Sequence, residues 1–249
     1  MAKDEIISVA EVTKEHISIQ IVGTSPLICH RMSEKAKREL LLPKGKKTAA
    51  DKASTAKHNP LQEFKDSPYL LREQDAPTYI GFLSSAFKSA MRTAAIDLPG
   101  AKGAQIGRLV YVEGDKIPIF GIPEVFCAVT RSADMNRTPD VRTRAIIRNW
   151  AAILTISFVT PIIKTTSVVN LLAAGGISAG IGDWRPEKGK GSYGQFRIAN
   201  QDDPEFVNII KNGGREAQIE AMENPQAYDS ETEEMLSWFI EEYKARGFK

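Results

Sequence analysis

Apolar and polar side chains alternate near the start of the chain. Isoleucine occupies positions 17, 19 and 21, and Ser18 and Gln20 stand between them. A period of two is typical of a strand that buries one face. The pattern therefore predicts a core strand over 16–22 that ends at Gly23.

Helical spacing follows between 86 and 96. Apolar and small side chains recur there three or four residues apart, which places them on one face of a helix. We expect this face to pack on the core, and we expect Ser84 or Ser85 to cap the helix. The side chains of this face are Phe87, Ala90, Met91 and Ala94.

The second half of the chain predicts more strands and a second core helix. Apolar runs bounded by Gly and Pro predict strands at 108–112, 117–120 and 125–129, and a longer run predicts a strand over about 150–159. Residues 167–174 predict a helix that is capped by Thr166 or Ser167 and ends at Gly175-Gly176. A last strand is predicted over 193–199.

The remaining segments have weaker patterns. Residues 43–59 lose apolar periodicity and predict a mobile basic loop. The other assignments are helices at 31–42, 60–72, 204–210 and 230–246, a strand at 77–82 and an irregular segment at 137–144.

The order of these elements predicts an α+β protein. Strand, helix, strands, strand, helix and strand follow each other as in the ferredoxin-like βαββαβ domain, the frame that RNA-recognition domains also use. We expect residues 1–200 to form this core, with a large insertion at about 24–76 after the first strand. Residues 201–249 are then an acidic, helical C-terminal extension.

Charge is distributed unevenly. The net charge of the 249 residues is only +2, but residues 31–57 hold nine Lys and Arg against three Asp and Glu. Residues 201–249 hold five against twelve. This acidic end predicts either a solvated helix or an arm that docks on a basic surface.

Cysteine content and hydropathy limit the class of protein. Cys29 and Cys127 are the only cysteines, so there is no disulfide framework and no Cys/His metal-ligand spacing. The N-terminus lacks an apolar signal core, and no apolar run reaches the roughly 18–20 residues of a membrane span. We expect a soluble, cytoplasmic protein of a bacterial or phage-infected host cell, without membrane contact and without cofactor or metal.

The strongest candidate for binding is a glycine-rich segment before the last strand. Residues 180–198 read Gly-Ile-Gly-Asp-Trp-Arg-Pro-Glu-Lys-Gly-Lys-Gly-Ser-Tyr-Gly-Gln-Phe-Arg-Ile. Glycines allow close backbone approach, cations neutralise phosphate, and aromatic rings stack on bases. The residues concerned are Gly180, Gly182, Gly189, Gly191 and Gly194, the cations Arg185, Lys188, Lys190 and Arg197, and the rings of Trp184 and Tyr193.

The spacing of Tyr193 and Phe196 restricts this prediction. Residues three apart cannot share one face of a regular strand, so at least one of the two rings is expected in the core. A structural glycine turn is the alternative reading of the segment.

Two further basic segments are candidates for phosphate contact. One contains Arg137, Arg142 and Arg144, whose guanidinium groups match phosphate geometry. The other contains Lys44, Lys46 and Lys47 and predicts a flexible electrostatic arm. Simple solvation explains either segment equally well.

Catalytic signals are weaker. His30 follows the first strand beside Arg31 and could act as a general base, although a lone histidine is more often structural. The sequence lacks a Walker loop, a Gly-x-Ser-x-Gly elbow and a His-Glu-x-x-His motif, and Gly175–Gly182 follows a predicted helix rather than the strand that a dinucleotide fingerprint requires.

The segments 19–27 and 180–198, with a late helix before the second, resemble the RAMP superfamily. These are ferredoxin-like RNA-binding proteins of CRISPR effector complexes, with a glycine-rich loop between the last helix and the last strand. The chain most resembles the backbone-forming members, which polymerise along a guide RNA. The resemblance implies glycine-loop roles for Gly189, Gly191 and Gly194, and it extends to phage proteins that share the Trp-Arg-Pro-Glu segment. RNA-cleaving members use a histidine or an aspartate where His30 stands here.

The leading hypothesis is therefore a non-enzymatic protein that oligomerises along single-stranded RNA or DNA as a filament or ring. One alternative is a metal-independent endoribonuclease that uses His30. Another is a phage structural protein that binds no nucleic acid and packs its Gly-Trp-Arg-Pro loop between subunits.

Overall fold

The computed structural model describes residues 11–33, 37, 40–41, 58–131, 139–189 and 191–247. The strands are β1 (Thr13–Gly23), β2 (Leu27–Ile28), β3 (Tyr69–Leu70), β4 (Ile80–Leu83), β5 (Val110–Val112), β6 (Lys116–Phe120), β7 (Pro123–Arg131), β8 (Pro139–Ile147), β9 (Ala151–Thr160) and β10 (Phe196–Ala199). The helices are α1 (Pro60–Asp66), α2 (Ser84–Asp97), α3 (Gly103–Leu109), α4 (Thr165–Ser178), α5 (Pro204–Asn212), α6 (Arg215–Glu223) and α7 (Ser230–Ala245), with a 3-10 turn at Pro186–Lys188.

A curled antiparallel sheet forms the centre of the molecule. Its strand order is β10-β1-β9-β6-β4-β3, and β5 pairs with β9 beside β6. Ile17 faces Ile156, and Ile19 faces Leu154 across the β1–β9 pair. The alternation that predicted β1 thus sets its register, because these isoleucines all turn toward one face.

Helices α2 and α4 cover that face. Phe87 and Met91 of α2 are fully buried, and Phe196 of β10 packs on Phe87 with ring centroids 6.1 Å apart. The predicted apolar face of α2 is confirmed. The structure is therefore of the α+β class, as the element order predicted.

A smaller sheet holds β2, β8 and β7 in that order. The prediction that residues 137–144 are irregular is wrong for residues 139–144, which belong to β8 and pair antiparallel with β7. The first four residues of β8 are exposed or half-buried, and two of them are charged. The strand form of this part therefore depends on backbone pairing with β7 and leaves no periodic signal.

The prediction that this helix ends at Gly175-Gly176 is wrong, since α4 continues to Ser178. The two glycines instead allow neighbouring elements to approach the helix closely. A Cβ at position 175 would lie 2.9 Å from the Ala90 carbonyl carbon of α2, and one at position 176 would collide with the carbonyl oxygen of Phe196. The predicted caps are also wrong. Helix α4 has Lys164 at its N-cap and α2 has Leu83, and neither N-cap side chain makes a capping hydrogen bond.

The C-terminal helices pack against the sheets. Helix α5 covers Val22 and Ala151 on the second face of the large sheet through Phe206 and Ile209. Thr232 of α7 is buried and accepts a hydrogen bond from the backbone N–H of Cys127. The acidic extension therefore contacts the rest of the molecule, through this hydrogen bond and through Met235 and Leu236, which pack on the hydrophobic core.

Gln218 of α6 joins two strands of the large sheet. Its fully buried amide accepts from the N–H groups of Tyr79 and Ile80 and donates to the carbonyl oxygens of Ile119 and Gly121. Strands β4 and β6 pair only up to Gly81 and Pro118. The side chain therefore completes the hydrogen bonds where the two strands diverge.

Helices α3 and α6 were not predicted. Helix α3 has one buried residue, Ile106, and α6 has two, Gln218 and Met222. Such short helices have little periodic signal. Among the helices that the structure describes, none is long and apolar enough to cross a bilayer.

Candidate functional site

The glycine-rich segment forms a compact loop that is braced by its own backbone. The N–H of Ile181 donates to the carbonyl oxygen of Gly194 at 2.9 Å, and the N–H of Gly194 donates to Pro26 at 2.8 Å. The N–H of Asp183 donates to Ile28 of β2 at 3.1 Å. These amides hold the loop against the start of the chain, so they are not directed at a ligand.

The predicted glycines have a structural reason. Gly180, Gly182, Gly189 and Gly194 have φ values between +66° and +83°, a region that other residues adopt at a cost. At Gly194 a Cβ would also collide with the carbonyl oxygen of Ile181, and at Gly191 with that of Trp184.

Trp184 and Tyr193 belong to an aromatic cluster on the small sheet. Their rings lie 6.0 Å apart, and Phe126 of β7 contacts Trp184 at 5.8 Å and Tyr228 at 5.5 Å. Phe196 is instead fully buried under α2. The prediction that at least one of Tyr193 and Phe196 lies in the core is confirmed by Phe196. Whether Trp184 or Tyr193 stacks on a base stays a prediction.

Arg144 and Asp183 form a largely buried ion pair. Arg144 Nη1 lies 2.8 Å from Asp183 Oδ2, and the Arg144 guanidinium lies 5.7 Å from the Trp184 ring centre. Burial lowers the pKa of Arg144, which Asp183 opposes. Arg144 therefore fixes the loop on β8, and phosphate contact would require it to leave this carboxylate.

Arg185 fixes the loop on helix α2 through Glu187. Arg185 donates to Glu187 Oε2 at 2.7 Å and to the carbonyl oxygen of Gly182 at 2.9 Å. Glu187 Oε1 accepts from Thr93 of α2 at 2.9 Å.

The other predicted cations are spread over the molecule. Arg197 donates to Asp203 at 2.6 Å and to Glu205 at 2.8 Å, and these hydrogen bonds raise its pKa. Arg142 pairs with Asp140 at 3.1 Å, whereas Lys188 is exposed. The predicted residues Lys44, Lys46, Lys47, Arg137 and Lys190 lie outside the described residues.

A cavity of about 300 Å³ lies between the loop and the first turn of α2. His30, Leu83, Ser85 and Ala86 line one side of it, and the segment from Gly180 to Asp183 lines the other. The loop and His30, predicted separately, therefore meet at one site. Arg185, Glu187, Ser89, Ala90, Phe82 and Tyr69 complete the wall.

A second cavity of about 220 Å³ is lined by Arg31, Arg72, Lys116, Tyr69, Leu70 and Glu73. Tyr69 lines both cavities, and its ring stands at 75° to that of Phe82. We call the two cavities together the Tyr69 groove.

The sequence did not single out Tyr69, Arg72 or Lys116. They are brought together because β3 pairs with β4, and β4 with β6. No local pattern indicates this, since 46 residues separate Leu70 from Lys116, whose Nζ donates to the carbonyl oxygen of Leu70.

The surroundings of His30 lower its pKa. Partial burial and the positive charge of Arg144 lower the pKa of His30, and Asp183 opposes the shift. The neutral imidazole therefore predominates at neutral pH. Within the described part of the chain, no three side chains of the metal-ligating types converge on one point.

The sequence matches no family model and no curated protein. Among solved structures, Cmr6 from Pyrococcus furiosus is similar with a TM-score of 0.39 and 9% identity, over 75% of this chain and 98% of that one. A chain of the Type III-B Cmr-beta complex bound to cognate target RNA is similar with a TM-score of 0.37 and 11% identity, over 75% of this chain and 59% of that one. At these TM-scores the likeness does not assign a function to the chain.

Proposed function

We propose that this protein binds single-stranded nucleic acid in the Tyr69 groove. The observation that carries the proposal is that Tyr69 lines two cavities, and that the wall of the second brings together Arg31, Arg72 and Lys116 from three separate parts of the chain. Strand binding without sequence preference combines such a cationic track with a stacking ring.

The charges of the groove favour phosphate. Asp183 is neutralised by Arg144, and Glu187 by Arg185. In the second cavity the carboxylate of Glu73 faces the three cations Arg31, Arg72 and Lys116.

The first turn of α2 adds to this potential. It contains no acidic side chain, and Leu83, Ser85 and Ala86 line the groove. The positive end of a helix dipole attracts anions.

The volumes of the two cavities favour a strand of nucleic acid over a small metabolite as the ligand. About 300 and 220 Å³ lie at or below the lower end of small-molecule pockets. An extended strand that crosses both cavities, with a base on Tyr69, uses the whole groove.

The strand order supports a ferredoxin-like, RAMP-like core as part of the proposal. Strands β10, β1 and β9, followed by β5 and β6, lie side by side and antiparallel, and α2 and α4 connect them in the βαββαβ manner. In this assignment the first insertion lies between β1 and α2, and the hairpin of β7 and β8 is a second insertion.

We propose in addition that several copies of the protein line up along one strand of nucleic acid.

Fluorescence anisotropy with labelled 30-mer oligo-U and oligo-dT tests the proposal. Combined Arg72→Glu and Lys116→Glu should weaken binding at least tenfold and reduce the salt dependence by about 0.7 per lost phosphate contact. Lys211→Glu, an exposed lysine of α5, is the matched control. Absence of binding to both oligonucleotides at low salt would overturn the proposal.

Light scattering with 30-mers and 60-mers tests whether several copies bind along one oligonucleotide, since the longer one should then bind more copies.

A metal-independent endoribonuclease is the second candidate. It is favoured by the position of His30 in the groove and by its lowered pKa, which leaves a neutral ring to accept a proton. Labelled RNA should then be cut, and His30→Ala should stop cutting without loss of binding. Cleavage should also stop when the 2′-hydroxyl is absent.

A further inference from the structure

Within the described part of the chain, the second face of the large sheet is only partly covered. Helix α5 packs on it at Val22 and Ala151. Further along the same strands Ser18 and Thr155 are exposed, Ile153 is 41% exposed and Tyr111 is 40% exposed.

Strand pairing arranges these side chains in rows. His16 faces Ser157, which faces Tyr111 on the other side. Ser18 faces Thr155 in the next row, and Gln20 faces Ile153 after that. Directly paired residues point to the same face of a sheet, so the exposed side chains of these rows lie on one face, with the fully buried Ser157 between His16 and Tyr111.

We propose that this surface, the Tyr111 platform, is a second binding site for single-stranded nucleic acid. Its strand residues face away from the side on which α2 and α4 pack, and Lys88 of α2 reaches the ring of Tyr111. The Tyr69 groove is instead lined by the first turn of α2. The proposal goes beyond the groove and does not depend on it.

Two lysines surround the ring of Tyr111. Lys14 Nζ lies 4.9 Å from the ring centre and Lys88 Nζ lies 4.4 Å from it. An exposed cation–π contact is weaker than the stacking of a base on an aromatic ring. A base can therefore replace a lysine over the ring, and the long side chain then remains within reach of the adjoining phosphate.

The surroundings of the ring favour nucleic acid over protein. Lys14 and His16 lie 3.6 and 3.8 Å from Glu113, and Lys14 is also one of the two lysines over the ring. Ser18, Gln20 and Thr155 offer hydrogen bonds to bases or sugars. Apart from Tyr111 itself, Ile153 is the one exposed large hydrophobic side chain of these rows, whereas the centre of a protein interface is apolar.

The test combines the platform and groove variants. Tyr111→Ala should weaken binding of a labelled oligo-U 10-mer about tenfold in the background of Arg72→Glu with Lys116→Glu. Tyr111→Phe should restore binding, because the ring is kept. Trp238→Ala, which removes an exposed ring from α7, is the matched control. Photo-crosslinking of a 4-thiouridine 10-mer should label a peptide that contains Tyr111.

The outcomes separate the two sites. If Tyr111→Ala binds like its parent in both backgrounds, or if it changes only self-association, the platform is overturned. If the groove variant keeps full affinity while Tyr111→Ala loses it, the platform stands and the groove fails. Thermal unfolding of each variant shows whether a loss reflects misfolding.

Discussion

The ion pair of Arg144 and Asp183 shows how a residue that predicts ligand binding can serve the fold. Arginines cluster in the sequence at 137–148, and this suggested phosphate contact. The side chain of Arg144 is only 10% exposed and that of Asp183 is 26% exposed. The sequence could not show this pairing, because Asp183 lies in the loop that follows α4, far from Arg144 along the chain.

We predict that Asp183→Asn destabilises the protein by about 3 kcal/mol, because it leaves the buried guanidinium without its counter-charge. Urea unfolding measures the loss. Asp202→Asn, at an exposed position, should change the free energy of unfolding by less than about 0.5 kcal/mol. Equal effects of the two substitutions would show that the pair contributes nothing specific.

The same pair should control the titration of His30. Arg144 lowers the pKa of His30 and Asp183 raises it, so Arg144→Gln should raise the midpoint and Asp183→Asn should lower it. Proton NMR of the imidazole measures both. Because folding lowers the pKa of His30, its contribution to stability is present at neutral pH and is lost as pH falls below the ordinary value of 6.5. A midpoint of 6.5 or above in the unmodified protein would contradict this account.

At the scale of elements, hydrophobic periodicity predicted the helices and strands that pack an apolar face on the core. It missed elements that depend on backbone pairing or on contacts distant in sequence. Strand β1 and helix α2 were predicted because their apolar positions repeat with a period of 2 and 3.6. Strand β8 was missed, since its polar half is held by β7. The glycine-rich loop was found from composition, but its role as a braced turn depends on contacts with β2 and β8.

Alanine substitutions at two glycines of the loop distinguish the cost of a positive φ from the cost of a steric collision. Gly194→Ala should destabilise the protein by more than about 2 kcal/mol, because a positive φ of +69° is combined with a collision on Ile181. Gly189→Ala has a similar φ of +70° with no atom within 4 Å of the new Cβ, so only the cost of the backbone conformation, about 1 kcal/mol, is expected. Thermal unfolding measures both. A smaller loss at Gly194 than at Gly189 would exclude a tightly packed loop.

At the scale of the molecule, the C-terminal segment completes the sheet. Gln218→Met removes the amide that accepts from the N–H groups of Tyr79 and Ile80 and donates to the carbonyl oxygens of Ile119 and Gly121. We predict a loss of at least about 3 kcal/mol, since each unsatisfied buried group costs about 1–3 kcal/mol. Glu216→Met, at an exposed position of the same helix, is the control for chemical denaturation. A stable, fully folded Gln218→Met protein would refute the role of the amide.

The position of Gln218 also has a consequence for synthesis on the ribosome. Strands β4 and β6 are complete once residue 120 has been made, but the amide that satisfies their diverging ends comes almost a hundred residues later. Until then a nascent chain exposes unpaired strand groups beside an apolar core, the condition under which newly made chains associate or recruit chaperones. A chain that ends before residue 218 should therefore associate or bind chaperones more than a chain that ends after α6, which size-exclusion chromatography of the two truncated chains would show.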